Sequence, residues 1–533
     1  MLPQNRILGL PHGMLHDAAS AIVDANGNIV AAEAWERKCQ FKHAGDLLRI
    51  YDKIPQSNDR CYRPYDKFVP TVDDYVFLTG THYIPSKYKY KKLELSPKHS
   101  VGHWDFSDSF APEPEPCISN QSNYYDYCSA LPNVQGHVTH HPAHFFSAAA
   151  TRPWDESDTD WVGLVIDGGG DQYSTMIIDS TNTIVYRSNI KNSLGHFYSM
   201  GVSIIGFKPE LEDYTVMGLA AYGQPIYTTL LHEMFNTFND NLNELNYARG
   251  KEPASIEEIR HRHANHLDKY FRSIKVKKED VAASFQQWIE DKIVDIATIA
   301  RRHGKKLVYA GGVAQNIRAN SILKTMFDDV WIMPAAPDDG TALGAAAYGY
   351  WYLTGKTKLN WVDAYLGYSI DNDINPKQVV KHIIQYKICG VANGPSEYGP
   401  RALGNRSLLA DVRYNIKNEV NEIKRRQYFR PFGASILAEY ADQYFEGAMN
   451  EYMQYCCTAL HDYTPVIHVD GTCRVQLVQP DCRSVLRQIL EEYYNLTGVP
   501  MLLNTSLNIR GKPMIRDEIA ALKFEKEYHV KVF

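Results

Sequence analysis

The sequence predicts an α/β protein of two domains, the first of them internally duplicated, and three observations lead there. Its 533 residues exceed what one hydrophobic core usually serves, and 44% apolar content suffices for two. Two strand-turn-strand units, each with an acidic or glycine-rich turn, recur in the first half. Strands that end in glycine-bearing turns alternate with apolar-periodic helices.

The first unit runs from a strand at Arg6 to Gly9, through a loop carrying His16-Asp17, into Ala18 to Val23. Asn26-Gly27-Asn28 turns that strand back into Ile29 to Ala34. This is a meander and not a nucleotide-binding βαβ unit. Pro142 can open a helix that runs to Ala150. Trp161 to Ile166 then leads into Asp167-Gly168-Gly169-Gly170-Asp171 and is answered by Ser174 to Ile178, the second unit. Apolar residues at Val281, Phe285, Trp288, Ile289, Ile293 and Ile296, with Gly304 beyond, predict a helix from Val281 to Arg302. Strand Lys306 to Ala310 precedes the turn Gly311 to Asn316, and Asp338-Asp339-Gly340 opens a helix of small residues, Thr341 to Tyr348, suited to close packing. Tyr352 to Ala364 reads as the connection between domains 1–355 and 365–533. The second domain holds strand Cys389 to Ala392 and the loop Gly399 to Ser407.

A formal charge of −6 excludes a chain that is basic throughout, so any nucleic-acid contact has to be a local patch. Nine cysteines without a C-x-x-C pair fit reduced thiols in a cytoplasm, the host's if the protein is viral. No signal segment and no 18-residue apolar run is visible, so neither secretion nor a membrane contact is expected, and Asn495-Leu496-Thr497 is a chance match. Gly355-Lys356-Thr357 is not a P-loop, because Tyr350 stands where its first glycine belongs. Neither a Gly-x-Ser-x-Gly elbow nor a His-Glu-x-x-His zinc motif occurs.

Two constellations carry chemistry. Lys424-x-Arg426 on one segment and Ser506-x-Asn508 on another can surround a small dianion, two cations supplying charge and two neutral groups supplying directional hydrogen bonds. The bland alternative is an exposed cationic helix face. His140 and His144 stand four apart, share one helical face and can reach one metal ion through neutral imidazole, unless they are ordinary surface histidines. The glycine-bearing turns at 167–171, 311–316 and 338–340, brought together, would make a nucleotide cleft whose backbone N–H groups hold phosphates. Finally, Tyr88 and Tyr90 alternate with Lys87, Lys89, Lys91 and Lys92, a pattern that grips phosphates and stacks on bases, or that forms a solvated charged strand or loop.

Taken in order, the motifs resemble those of the O-carbamoyltransferases, the family of nodulation carbamoyltransferases and of those in cephalosporin and aminoglycoside (tobramycin) biosynthesis. The resemblance runs nearly end to end. It takes in His16-Asp17, Lys42-His43, His140-His141-x-x-His144, Asp167-Gly168-Gly169-Gly170, Val216-Met217-Gly218-Leu219-Ala220, Gly311 to Asn316 and Asp338-Asp339-Gly340. It continues through Glu397-Tyr398, Phe429-Arg430-Pro431-Phe432, His468 to Thr472 and Asn504 to Asn508. The nine residues Gly399-Pro400-Arg401-Ala402-Leu403-Gly404-Asn405-Arg406-Ser407 are its most specific stretch.

The resemblance implies a duplicated actin-like ATPase (ASKHA) fold for the N-terminal domain and a YrdC-like α/β fold for the C-terminal one. It further implies that the C-terminal centre makes carbamoyl-adenylate from carbamoyl phosphate and ATP, with Mg2+, and that the N-terminal centre passes the carbamoyl group to an acceptor hydroxyl. By that pattern Arg401, Lys424, Arg426 and Arg430 serve the phosphates beside Ser506 and Asn508. His140, His144 and Asp338 hold iron(II), with zinc as the rival, and His16 or Asp17 takes the acceptor's proton. Lys42 helps neutralise the adenylate, unless it is an ordinary solvated lysine. Adenine and ribose lie along Gly311-Gly312 to Asn316 and Met217-Gly218, and Asp167, Gly168 and Gly169 are further cofactor-binding positions. Four positions depart from the pattern: Pro395 replaces an arginine, Gly433 an alanine and Ala434 a proline, and Lys512 stands where Gly-Glu usually follows the Asn-Thr-Ser run. The Lys-x-Arg and Ser-x-Asn pairs are intact, so activity is expected.

The acceptor is the least legible part. The basic-aromatic patch suggests DNA contact and 5-hydroxymethylpyrimidines as the target of a viral enzyme, with a sugar or secondary-metabolite hydroxyl as the competing acceptor. A non-catalytic nucleotide or nucleic-acid binder would be expected to lose ligand sets that are complete here. A tRNA threonylcarbamoylation enzyme would explain both domains, but the Arg401 loop and the fused order point to plain carbamoyl transfer.

Overall fold

The computed structural model describes residues 6–11, 17–39, 73–80, 134–170, 173–209, 212–236, 267, 269–271 and 276–533. Five strands come first: β1 (Ile7–Pro11), β2 (Ala19–Val23), β3 (Ile29–Ala34), β4 (Tyr75–Gly80) and β5 (Val134–Thr139). They form one sheet in the order β3-β2-β1-β4-β5. The next five are β6 (Trp161–Gly170), β7 (Tyr173–Asp179), β8 (Ile184–Asn189), β9 (Lys306–Ala310) and β10 (Asp329–Ile332), in the order β8-β7-β6-β9-β10. In both sheets the first three strands are an antiparallel meander, and the last two are added in parallel on the other side of the first strand. This repeated unit is the actin-like ATPase architecture. The duplication expected from the two meanders is present in the strand order itself.

Two helices fill the space between the sheets. In His140–Thr151 all twelve residues are buried, so its histidines sit in the interior and not on the surface. Thr341–Thr354 runs against it so closely that a methyl group on Gly344 would fall 1.7 Å from the Ala143 carbonyl oxygen. Close packing of small residues is therefore obligatory here, as the alanine-rich sequence predicts. On the other side of the second sheet, Lys278–Ala300 buries Val281, Phe285, Trp288, Ile289, Ile293 and Ile296 against Leu164 and Leu307.

Two expectations change. Helix Thr341–Thr354 outlasts its expected end at Tyr348, because nothing interrupts it before Gly355, which closes it at a left-handed φ of 75°. The first residues of the expected connection are accordingly helical. Gly168 to Gly170, read as a turn, prolong β6, with Gly170 paired to Tyr173.

The C-terminal part carries a ribbon of β11 (Tyr365–Ile370) and β13 (Gly394–Glu397), and a seven-stranded sheet. The sheet contains β12 (Ile388–Ala392), β14 (Arg406–Ala410), β15 (Gly433–Leu437), β16 (Phe445–Gly447), β17 (Cys457–Ala459), β18 (Thr472–Val478) and β19 (Met501–Ser506). Their order is β12-β14-β19-β15-β18-β17-β16, antiparallel except where β15 meets β18. Helices Pro376–Tyr386 and Leu486–Thr497 close its core with Val379, Val380, Ile383, Ile489, Leu490 and Tyr493. Among the described residues Cys389, Cys456, Cys457, Cys473 and Cys482 are free thiols, and no helix is long and apolar enough to cross a membrane.

The helix contact yields a stability test. Gly344→Ala is expected to cost at least about 2 kcal/mol, by overpacking against backbone that cannot withdraw. Gly498→Ala, which meets nothing within 4 Å but has a φ of 71°, should cost about 1 kcal/mol. Denaturant midpoints of the two variants rank the effects.

Candidate metal centre and anion pocket

Four side chains converge between the two N-terminal sheets. His140 and His144 come from the first turns of helix His140–Thr151, Asp167 from β6, and Asp338 from the short turn that leads into Thr341–Thr354. Their donor atoms all lie within 4.8 Å of one another. The His140 Nε2 is 2.9 Å from Asp167 Oδ2, 3.2 Å from His144 Nε2 and 3.5 Å from Asp338 Oδ1, while His144 Nε2 is 3.3 Å from the same Asp338 oxygen. Both histidines are fully buried and the aspartates nearly so.

Burial opposes ionisation of Asp167, but the His140 hydrogen bond and the charges of His140 and His144 outweigh it and hold the carboxyl well below its usual range. Burial, with His140 beside it, pushes His141 down to about 3 and keeps that ring neutral. Two imidazole nitrogens and two carboxylates at these separations suit a single divalent ion with ligand bonds of about 2.0–2.2 Å. The residues therefore fit a metal. Asp167, expected along the nucleotide, belongs to this set; the only sequence cue was an aspartate at a strand end, before glycines. The place of a Gly170 side chain is taken by the His140 ring, 2.4 Å from where a methyl carbon would sit.

Beside the metal turn lies Asp339, whose carboxyl is raised well above its usual range by burial, with Asp17 and Glu36 adding to the effect and Arg37 opposing it. Asp17 thus faces the metal turn. His16, Lys42 and His43, Asp171 and the Lys87–Lys92 patch lie outside the described residues.

The expected nucleotide loops are partly in place. The Gly312 N–H donates to Asp167 Oδ1 at 2.8 Å, tying the Gly311-Gly312 turn to the metal set, and Gly168-Gly169 lie against the His196 ring. Asn316 caps helix Ile317–Met326 by accepting from the Ala319 N–H, and its amide also exchanges bonds of 3.0 and 3.2 Å with Gln286. Its donor and acceptor are engaged within the protein. Gly218, beside Met217 on Asp213–Leu219, reaches the C-terminal part, where its carbonyl oxygen is 2.7 Å from His468 Nε2.

In the C-terminal part Lys424, from the first expected pair, meets both members of the second. The Lys424 ammonium donates to Asn508 Oδ1 and to the Asn508 carbonyl at 2.9 Å, to Ser506 Oγ at 3.2 Å and to the Ser506 carbonyl. The Asn508 amide is held in turn by the Lys512 carbonyl at 2.6 Å. Arg426 stacks on Phe432 at 4.0 Å and donates to Asn421, and Arg430 stacks on Tyr214 at 4.4 Å.

Arg401 and Arg474 complete a group of four guanidiniums. Burial and Arg430 push Arg401 down to about 10; burial, then Arg430 and Arg474, lower Arg426; burial, then Arg401 and Arg430, lower Arg474. Among the described residues no carboxylate forms an ion pair with any of the four. Arg474, on β18, was missed because it alternates with Thr472 and Gln476 along the strand and so reads as an ordinary solvent-facing position. The Arg401 loop is shaped by the buried Glu397, whose Oε1 accepts the N–H groups of Leu403, Asn405 and Arg406 at 2.8, 2.9 and 3.1 Å. Arg406 itself is structural: its guanidinium donates to the carbonyls of Tyr368, Asn393, Gly394, Asn405 and Arg516.

Comparison with known proteins follows the same division. The family descriptions carbamoyltransferase N-terminus and carbamoyltransferase C-terminus match residues 6–347 and 380–533. The nodulation protein NolNO of Sinorhizobium fredii is 28% identical, over 96% of this chain and 77% of its own. The nodulation protein NolO of Bradyrhizobium diazoefficiens is 30% identical over 71% of this chain and 74% of its own. An uncharacterised protein of Methanocaldococcus jannaschii is 27% identical over 96% and 95%. The chain belongs to the carbamoyltransferase family and is a transferase whose family chemistry moves a carbamoyl group to a hydroxyl.

Proposed function

We propose that a carbamoyl group is activated at the C-terminal arginine pocket, within unit 365–533, and delivered to an acceptor hydroxyl at the histidine-aspartate centre of unit 1–355. One observation carries this reading: four half-buried guanidiniums converge with, among the described residues, no carboxylate in an ion pair with any of them, in a carbamoyltransferase chain. Such a pocket is a charge excess that a polyanion relieves. Carbamoyl phosphate and ATP, which brings Mg2+ as its counter-ion, are the ligands of that chemistry. Water splits carbamoyl phosphate into phosphate and carbamate; a carbamate oxygen attacks the α-phosphorus of ATP, pyrophosphate departs, and carbamoyl-adenylate forms. Arg401, Arg426, Arg430 and Arg474 offset the charge of the departing phosphates, and Lys424 is held for the same purpose by Ser506 and Asn508.

At the transfer centre, His140, His144, Asp167 and Asp338 would hold a divalent metal ion, which when bound supplies Lewis-acid polarisation. Two neutral imidazoles with carboxylates are a donor set that would suit iron(II), the assignment preferred, with zinc as its rival. The strand end Gly168-Gly169 and the turn Gly311-Gly312, with Met217-Gly218, line the path of the adenosine, and Lys42 offsets its phosphate. His16 or Asp17 takes the hydroxyl proton as the acceptor oxygen attacks the carbonyl and AMP leaves. Asp17 and Glu36 supply negative charge beside Asp339, opposed by Arg37, a balance that favours a sugar or metabolite hydroxyl over the dense negative charge of DNA.

Lys424→Ala is expected to lower carbamoyl-phosphate-dependent exchange of pyrophosphate into ATP by about 100-fold or more. His144→Ala should leave that exchange intact while product formation falls by a comparable factor; equal loss of both would contradict the two-centre reading. In a second assay, product masses are measured with hydroxylated sugars, small metabolites and 5-hydroxymethylated DNA as acceptors. Carbamoyl addition to a neutral or cationic small molecule is the expected result, and addition to DNA alone would reverse the acceptor assignment.

A further inference from the structure

One short segment touches both centres. Glu397 shapes the Arg401 loop with its side chain, while its own carbonyl and that of Gly399 accept from the Arg37 guanidinium, the latter at 2.7 Å. Between them, the Tyr398 hydroxyl donates to the carbonyl of Asp339, the residue after the metal-set Asp338. Gly399 lies at a φ of 119° with its backbone so close to Pro334 that a methyl group would come within 2.5 Å of the Pro334 carbonyl oxygen. Glu397, Tyr398 and Arg37 are all at least 97% buried, so these bonds are made in a poorly solvated interior where each donor and acceptor depends on its partner.

We propose that Tyr398 is a positioning residue that links the two centres, joining the Asp338-Asp339 turn to the Arg401 loop so that filling the anion pocket alters how firmly the metal is held. The inference rests on the two-centre reading above and adds a mechanical connection to it. Two rigid attachments make the segment a lever: a shift of the Arg401 loop pulls on Glu397, and the Tyr398 hydroxyl transmits it to the Asp339 backbone. Burial holds the phenol protonated, so the hydroxyl remains a donor at any working pH. By linkage, the effect is reciprocal: metal binding changes anion affinity by the same factor.

The test uses the full chain loaded with iron(II) or zinc, and pyrophosphate as the anion. Loss of metal to a chelator is followed with and without saturating pyrophosphate, and the ratio of the two dissociation constants is the coupling. The parent protein is expected to hold metal about fivefold more tightly or better with pyrophosphate present. Tyr398→Phe, which keeps the buried ring, should bring the ratio to near one while leaving the anion-free metal affinity close to the parent's. Arg37→Lys, which can reach only one of the two carbonyls, should reduce the ratio in part. An undiminished ratio in Tyr398→Phe, or weaker metal binding with the ratio intact, would overturn the linkage and mark the tyrosine as merely structural. A parent protein that binds both ligands with a ratio of one would also overturn it. A parent that holds no metal, or no pyrophosphate, would instead remove the two-centre reading together with this inference.

Discussion

Placing two imidazoles and two carboxylates in one buried spot is the constraint on which the N-terminal architecture depends. Buried carboxylates are costly unless paired, and here the pairing is mutual: Asp167 and Asp338 against His140 and His144. The four come from three separate elements, so the duplicated sheets have to clasp helices His140–Thr151 and Thr341–Thr354 tightly. That clasp explains the absence of any side chain at Gly344 and the run of small residues from Gly344 to Ala347 in the first half of its helix. Stability and ligand geometry are set by the same contacts.

The second centre follows the opposite electrostatic plan. Around the Asp338-Asp339 turn, acidic groups gather and burial raises the Asp339 carboxyl well above its usual range; in the C-terminal pocket, guanidiniums crowd together and depress one another. These one-sided concentrations of charge are what the two-centre proposal rests on. The halves meet through polar contacts as well: Glu212 with Arg510, Arg318 with Asp470, and the Gly218 carbonyl with His468. The expected nucleotide segment Met217-Gly218 therefore lies where the two parts touch.

What was legible in the sequence was whatever a local period or turn encodes. The meanders, the helix Lys278–Ala300 and the shared face of His140 and His144 follow from spacing alone. Other features depend on partners far along the chain. Asp167 reads as part of a glycine turn until His140, 27 residues away, meets its carboxylate. Asn316 reads as a ligand group, yet Gln286 and the start of the next helix occupy its amide. Arg474 is one of three alternating polar residues on β18, with Thr472 and Gln476, and only the other three arginines set it apart. The inner face of Glu397-Tyr398-Gly399 is set by Arg37, about 360 residues earlier, a separation no local pattern reports.

The claim beneath all of this is that the four buried side chains hold one metal ion. Anomalous diffraction from crystals of the protein loaded with iron(II) tests it most directly. A single peak bonded to His140, His144, Asp167 and Asp338 is the predicted result. A protein that loads iron elsewhere, with those four side chains bonded only to one another, would contradict it.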